Sequence, residues 1–377
     1  MFVKCLLLFS FLCLHLQFSY GVTDTVVCYY ASWAIYRPDK GEFHPESIDP
    51  TICTHINYAF LGIYPNGTLQ MIDEWGDIEK GNFQEVEALK EINPNLKTII
   101  SVGGWNAGNA ILSPIAASAE FRANLIASCL EYFETYGFNG LDIDWEYPEA
   151  KDKENFITLL REIKEAFQPG GYVLTIAVSA IPIDDAYDIP GMSENVDLIN
   201  LMTYDFHIAG GGITGQNSPL YWGAADSAWQ KEYENVNSTV VNWVNEGADP
   251  AKLTIGLAFY GHTFQLTDPA QHDLGSPVSD AGMSGPYTKG YGIMGYNEIC
   301  ELTGDWTRVF DDQQKVPYKY KDDQWIGYDD EESVALKVQY AKDNNLAGLM
   351  IWTVDMDDFL GLCGTKDGLL QTIKNNL

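Results

Sequence analysis

Apolar and polar positions along this chain follow two alternating rhythms. Short runs rich in β-branched and aromatic residues fall at Val26–Tyr30, Thr54–Phe60, Lys97–Val102, Gly140–Trp145, Val173–Val178, Asp197–Met202, Leu253–Leu257 and Gly348–Trp352, and they read as eight strands. Helical patterns separate most of them. Over Asp152–Phe167 the apolar Phe156, Leu159, Leu160, Ile163 and Phe167 share one face and charges take the other; Ser118–Tyr136 is similar. Eight strands spaced by helices predict a parallel (β/α)8 TIM barrel rather than an open sheet. The rhythm breaks from about His262 to Asp330. Gly, Tyr, Asp and Lys are frequent there, strand runs are weak, and no long amphipathic helix begins before Ser333. Residues 262–330 are therefore expected to form a small α+β insertion between the seventh and eighth strands.

One strand departs from simple apolar patterning. Within Asn139–Pro148, the acids Asp142, Asp144 and Glu146 take every second position, with Leu141, Ile143 and Trp145 between them. Side chains alternate faces along a strand, so the acids share one side and the apolar groups the other. Such a row fits a barrel strand whose inner face does chemistry. It could serve a glycosidase, hold a metal, or be a charged surface strand. The run lacks the glycine of a calcium loop, and its bulky apolar residues need a core. Adjacent acids would have Cα atoms about 6.6 Å apart, so at least one proton is retained near neutral pH. A general acid for glycoside cleavage needs such a proton. Glu146, nearest the C-terminal rim, is the candidate. Aromatic residues recur at other strand ends: Tyr29, Phe60, Trp105, Tyr204, Tyr260 and Trp352. Sugar rings stack on such faces, although any single one could equally be core packing.

Composition narrows the field. Residues 1–21 read as a secretory signal, with Lys4 before a Leu-rich run and small Ser19 and Gly21 at the cut; a retained signal anchor is the alternative. The mature unit would be 22–377, secreted, extracellular and monomeric. A formal net charge of −31 excludes nucleic acid and anionic membrane as partners. Cys28, Cys53, Cys129, Cys300 and Cys363 remain after the signal, which implies two bridges and one free thiol in an oxidising compartment. Spacing leaves the pairing open. Asn66 and Asn237 begin glycosylation triplets.

With these residues in view, the chain resembles the family 18 glycoside hydrolases, in particular the secreted animal chitinases. Leu141-Asp-Ile-Asp-Trp-Glu-Tyr-Pro148 is similar to the family's catalytic strand. Ser101-Val-Gly-Gly-Trp105, Met202-Thr-Tyr-Asp205, Asn217-Ser-Pro-Leu220, Trp325-Ile-Gly-Tyr-Asp329 and Gly348-Leu-Met-Ile-Trp352 resemble further motifs. The resemblance implies hydrolysis of chitin or chitooligosaccharides by substrate-assisted retaining catalysis, with no metal or organic cofactor. In that scheme Glu146 is acid and base, Asp144 holds the substrate's acetamido N–H, and Asp142 shares a proton with Asp144. Tyr204 orients the acetamido oxygen. Trp352 would floor the pocket. Tyr29, Phe60, Met202, Asp205, Tyr260 and Met350 would line it, while Trp33 and Trp105 extend the stacking track. The family's bridges would be Cys28–Cys53 and Cys300–Cys363, leaving Cys129 free. A catalytically silent chitin-binding lectin on the same fold is the alternative.

Three positions depart from the family. Asn139 stands where Asp is usual, and is expected to lie below the reactive pair and shift the pH profile. His262 replaces an Arg, giving a shorter, pH-sensitive contact near Asp205. Ile208-Ala-Gly-Gly-Gly212 lacks an aromatic on the leaving-group side, where Trp222 could compensate.

Overall fold

The eight expected strands form, and they close on one another. In the computed structural model, which describes residues 23–183 and 185–377, the first eight strands are β1 (Thr25–Ala31), β2 (His55–Ile63), the two-residue β3 (Leu69–Gln70), β4 (Lys97–Gly103), β5 (Gly140–Asp144), β6 (Val173–Ser179), β7 (Leu198–Met202) and β8 (Leu253–Ala258). The signal expected at 1–21 lies outside the described residues. Six further strands, β9 to β14, precede β15 (Gly348–Trp352). All barrel pairings are parallel, in the order β1, β2, β4, β5, β6, β7, β8, β15, and β15 returns to β1. This is the (β/α)8 barrel the alternation predicts.

Its strands are buried on both faces, as a parallel barrel requires. Along β5, every residue from Gly140 to Asp144 is buried, acids included. The outward Leu141 and Ile143 meet the helical layer, and Trp145 packs edge-on to Phe156 with ring centroids 5.1 Å apart. The strand itself stops at Asp144, one residue short of the expected Trp145.

The helices obey their sequence faces. Lys153–Phe167 buries Phe156, Leu159, Leu160, Ile163 and Phe167. Each such side chain contributes roughly 2 kcal/mol of apolar burial, so the shared face rather than propensity holds this helix in place. Ala119–Tyr136 starts where Ser118 accepts the Phe121 N–H and ends at Gly137, whose φ of 94° stops it.

Between β8 and β15 the chain forms an antiparallel sheet: β9 (Tyr260–Leu266), β10 (Val278–Ala281), β11 (Ile293–Gly295), β12 (Thr307–Asp311), β13 (Val316–Lys321) and β14 (Gln324–Gly327). A one-turn helix, Tyr296–Ile299, follows β11. Phe264, Leu266, Tyr318 and Trp325 give this sheet a small core of its own. It begins at Tyr260, two residues before the expected start, because β9 continues almost directly from the C-terminal end of β8. That junction sets the sheet beside the barrel rim where β5 also ends. Disulfides join Cys28 to Cys53 and Cys300 to Cys363, and Cys129 is free and buried.

Candidate active site

Register alone assembles the floor of the site. Ser101 on β4 and Thr175 on β6 lie directly opposite Asp142 on β5. All three therefore point the same way, into the barrel. Thr175 donates to Asp142 Oδ1 at 2.6 Å, and Ser101 and Tyr29 donate to Oδ2 at 2.7 and 2.6 Å. Burial raises the Asp142 carboxyl, and the hydrogen bonds from Thr175, Tyr29 and Ser101 oppose part of that rise.

Asp144 is buried as deeply but lacks that support. Its Oδ1 has no hydrogen-bond partner among the described residues. Burial first, then the charges of Glu146 and Asp142, push its carboxyl well above the usual range. Glu146 follows two residues later, beyond the strand end. Its carboxyl is raised by burial, with a Tyr147 hydrogen bond opposing and the Asp205 charge adding to the rise. The three acids thus meet three environments: saturated, bare, and facing an open cavity. Both shifts favour the protonated form in the upper part of the row, where a poor leaving oxygen could receive the proton.

The cavity above has a volume of about 520 Å³. Asp144, Glu146, Met202, Tyr204, Asp205, Tyr260, Phe60, Trp33, Trp105 and Trp352 line it, together with Tyr147, Asn106 and the glycines Gly103 and Gly104. Phe60 and Trp352 stack at 5.7 Å and Trp33 and Phe60 at 6.2 Å. Trp105 lines the cavity and is 75% exposed, so much of its side chain is open to a ligand. The paired glycines explain the Ser101–Trp105 motif. A Cβ on Gly103 would sit 1.9 Å from the Asp144 carbonyl oxygen, and one on Gly104 would sit 2.8 Å from the Phe60 ring. Both also hold positive φ, at 109° and 79°.

Two expected pocket residues lie elsewhere. Tyr29 and Met350 sit below the rim within β1 and β15, and are buried behind the wall. Tyr29 serves Asp142 and packs 5.3 Å from Trp352; the Met350 sulfur accepts the Tyr204 hydroxyl at 3.7 Å. Asn139 is also displaced from its expected place. It precedes β5 at the opposite end of the barrel and shares the outward parity of Leu141, not the inward parity of Asp142. Its Oδ1 accepts the Thr98 N–H at 3.1 Å. It therefore does not stand beneath the reactive pair. His262 does meet Asp205, with Nε2 2.7 Å from Oδ1. Of the triplet asparagines, Asn66 is exposed at the β2–β3 turn, whereas Asn237 opens a helix and accepts from Tyr340 at 3.1 Å.

Sequence reasoning missed Thr175 as a partner of Asp142. The signal was there: a Thr inside Val-Leu-Thr-Ile-Ala-Val is a polar group in a strand otherwise built for burial.

Known proteins resemble this chain in sequence and fold. Mouse Chitotriosidase-1 is 36% identical over 378 residues, covering 96% of this chain and 80% of its own length. The crystal structure of Ostrinia furnacalis Group IV chitinase in complex with allosamidin superposes with a TM-score of 0.91 at 45% identity, covering 93% of this chain and 98% of that one. Human YKL-39, described as a pseudo-chitinase with retained chitooligosaccharide binding, superposes at 0.89 with 36% identity, covering 94% and 99%. The sequence model of the glycosyl hydrolases family 18 matches residues 25–357, a span that runs from β1 past β15 and takes in the whole acid row, and the chain belongs to that family.

Proposed function

We propose that this chain is a secreted chitinase that hydrolyses β-1,4-linked N-acetylglucosamine chains with retention of configuration. The observation that carries the reading is the bare, buried Asp144 Oδ1 beneath a cavity that also holds Glu146. A buried acceptor without a partner is costly, and an acetamido N–H would satisfy it.

The steps follow from the environments. Trp352, with Phe60 and Trp33 beside it, stacks the sugar. Glu146, kept protonated by burial and the Asp205 charge, gives its proton to the glycosidic oxygen as the C1–O bond breaks. The substrate's own acetamido oxygen bonds to C1 and forms an oxazolinium ring. Asp144 passes its proton to Asp142 behind it, accepts the acetamido N–H and offsets the positive charge. Tyr204 donates to the acetamido oxygen. Water then attacks C1, Glu146 takes its proton, and the ring opens. No metal or organic cofactor enters these steps. Residues 1–21 would be removed on export, leaving a monomeric catalytic unit over 22–377 with 262–330 walling the cleft. Among the described residues no helix is long and apolar enough to cross a membrane.

A binding-only role is the second reading. It is favoured by the likeness to YKL-39, since the aromatic cavity would hold oligosaccharide with or without turnover. Chitohexaose separates the two. Cleavage abolished in Glu146→Gln supports the enzyme; binding without cleavage in the unchanged protein supports the lectin.

A further inference from the structure

Glu146 lies beyond the last residue of β5, so strand pairing does not fix it. The loop that carries it runs from Trp145 to Asp152, and one helix outside the barrel sheet grips both of its ends. Trp145 is buried, and its indole Nε1 donates to Asn109 Oδ1 at 2.9 Å. Asp152 is buried as well. Its Oδ2 accepts the Glu149 N–H at 2.9 Å and closes the turn, while its Oδ1 accepts the Ser113 hydroxyl at 2.5 Å. Asn109 and Ser113 stand four residues apart on the helix Gly108–Ala117 and so share one face. Leu112, Ile115 and Ala116 are buried and seat that helix.

The amide of Asn109 reaches both sides of Glu146. An indole N–H can only donate, so the amide oxygen faces Trp145 and the amide nitrogen is left for the other side. There stands Glu149, whose carboxyl is held below its ordinary range by hydrogen bonds from Lys151 first and Asn109 second. The helix also continues directly from the cavity loop. Gly103, Gly104, Trp105 and Asn106 line the cavity, and the Gly104 N–H donates to the Asp144 carbonyl oxygen at 2.8 Å. One segment of chain, Gly104 to Ser113, thus ties down Asp144 and Trp145 before Glu146, and Glu149 and Asp152 after it.

We propose that Asn109 and Ser113 are positioning residues of the reaction: their helix braces the loop between Trp145 and Asp152 and holds Glu146 within reach of the glycosidic oxygen. The proposal rests on the reading of Glu146 as general acid. Neither Asn109 nor Ser113 lines the cavity. Their loss should therefore spare sugar binding and slow the chemical step, because displacing a reacting group by about 1 Å can cost about 10²-fold in rate.

Asn109→Leu keeps a helix former of similar size and removes both polar contacts. On chitohexaose its kcat is expected to fall about 10- to 100-fold, with KM within about twofold of that of the unchanged protein. Exchanging the two polar groups, Asn109→Asp together with Glu149→Gln, returns an acceptor to Trp145 and a donor between the pair, and kcat should recover. Ser113→Ala breaks the outer tie alone and should show the same split at smaller size. It stands in, by every measurement, if Asn109→Leu does not fold. A lower melting temperature with kcat unchanged in the single variants, or no recovery in the exchange, overturns the proposal. Carbon-13 labelling of glutamate carboxyls follows Glu146 by NMR without turnover, with Glu146→Gln identifying the signal. One sharp Glu146 signal is expected in the unchanged protein and a broadened or divided one in Asn109→Leu; identical sharp signals in the two would also overturn the proposal. Absence of turnover in the unchanged protein would defeat the chitinase reading and leave the carboxyl signals to decide the brace.

Discussion

The floor of the barrel and its rim treat carboxylates in opposite ways. At the floor, Asp142 is enclosed and takes three donated hydrogen bonds from Tyr29, Ser101 and Thr175. At the rim, Asp205 takes two donors on one oxygen and leaves the other toward the cavity. Asp144 lies between, buried like the floor but bare at Oδ1. The floor is made by strand register alone. The rim is made by loops and by β9 of the inserted sheet. Hydrogen bonds at the floor oppose the effect of burial on Asp142; without them burial favours the protonated form of Asp144 and keeps a hydrogen bond in reserve for a ligand.

The sharpest way to break this contrast is at its top. Glu146→Gln removes the only proposed proton donor and should lower kcat by about 10²–10⁴-fold, with oligosaccharide affinity retained. Turnover on chitohexaose and binding by calorimetry check it together. Asp144→Asn keeps the shape and loses the charge that offsets the oxazolinium, so a fall in kcat of about 10²–10³-fold is expected from steady-state rates.

The floor gives a different signature. Thr175→Val deletes one of the bonds that favour the ionised Asp142, so that carboxyl should titrate at higher pH. If activity needs Asp142 charged, the acidic limb of kcat/KM moves to higher pH, and Thr175→Ser restores it. A thermal melt should also show a loss of roughly 1–3 kcal/mol in the Val variant.

Trp105→Ala touches only the exposed rim. It should raise KM about threefold to tenfold on long oligosaccharides and leave kcat nearly unchanged. Asn139→Asp should do least. The residue sits at the far end of β5 with outward parity, so the pH–rate profile should superimpose on that of the unchanged protein; a shift would restore Asn139 to the acid row.

Much of this was legible in the sequence, for local reasons. Periodicity located all eight barrel strands, and the face of Lys153–Phe167 packs as its apolar spacing requires. Alternation alone put Asp142 and Asp144 on the inner face. The positions that escaped depend on neighbours distant in the chain. Thr175 matters only because β6 pairs with β5 in a register that sets it opposite Asp142. Tyr29 and Met350 were assigned to the wall, but their depth along β1 and β15 puts them behind it. Asn139 was misplaced although its parity could be counted, because its motif position outweighed the alternation. The insertion announced itself only as a lapse in rhythm, since short twisted strands rich in Gly and Tyr carry little periodic signal.

The central claim is that Glu146 and the bare Asp144 act on a substrate whose own acetamido group is the nucleophile. Time-resolved proton NMR of chitohexaose hydrolysis tests it most directly, because the anomer released first reports the mechanism before mutarotation blurs it. The account predicts fresh products as the β-anomer, with no cleavage in Glu146→Gln. Products appearing first as the α-anomer, or bound chitohexaose left intact by the unchanged protein, would contradict it.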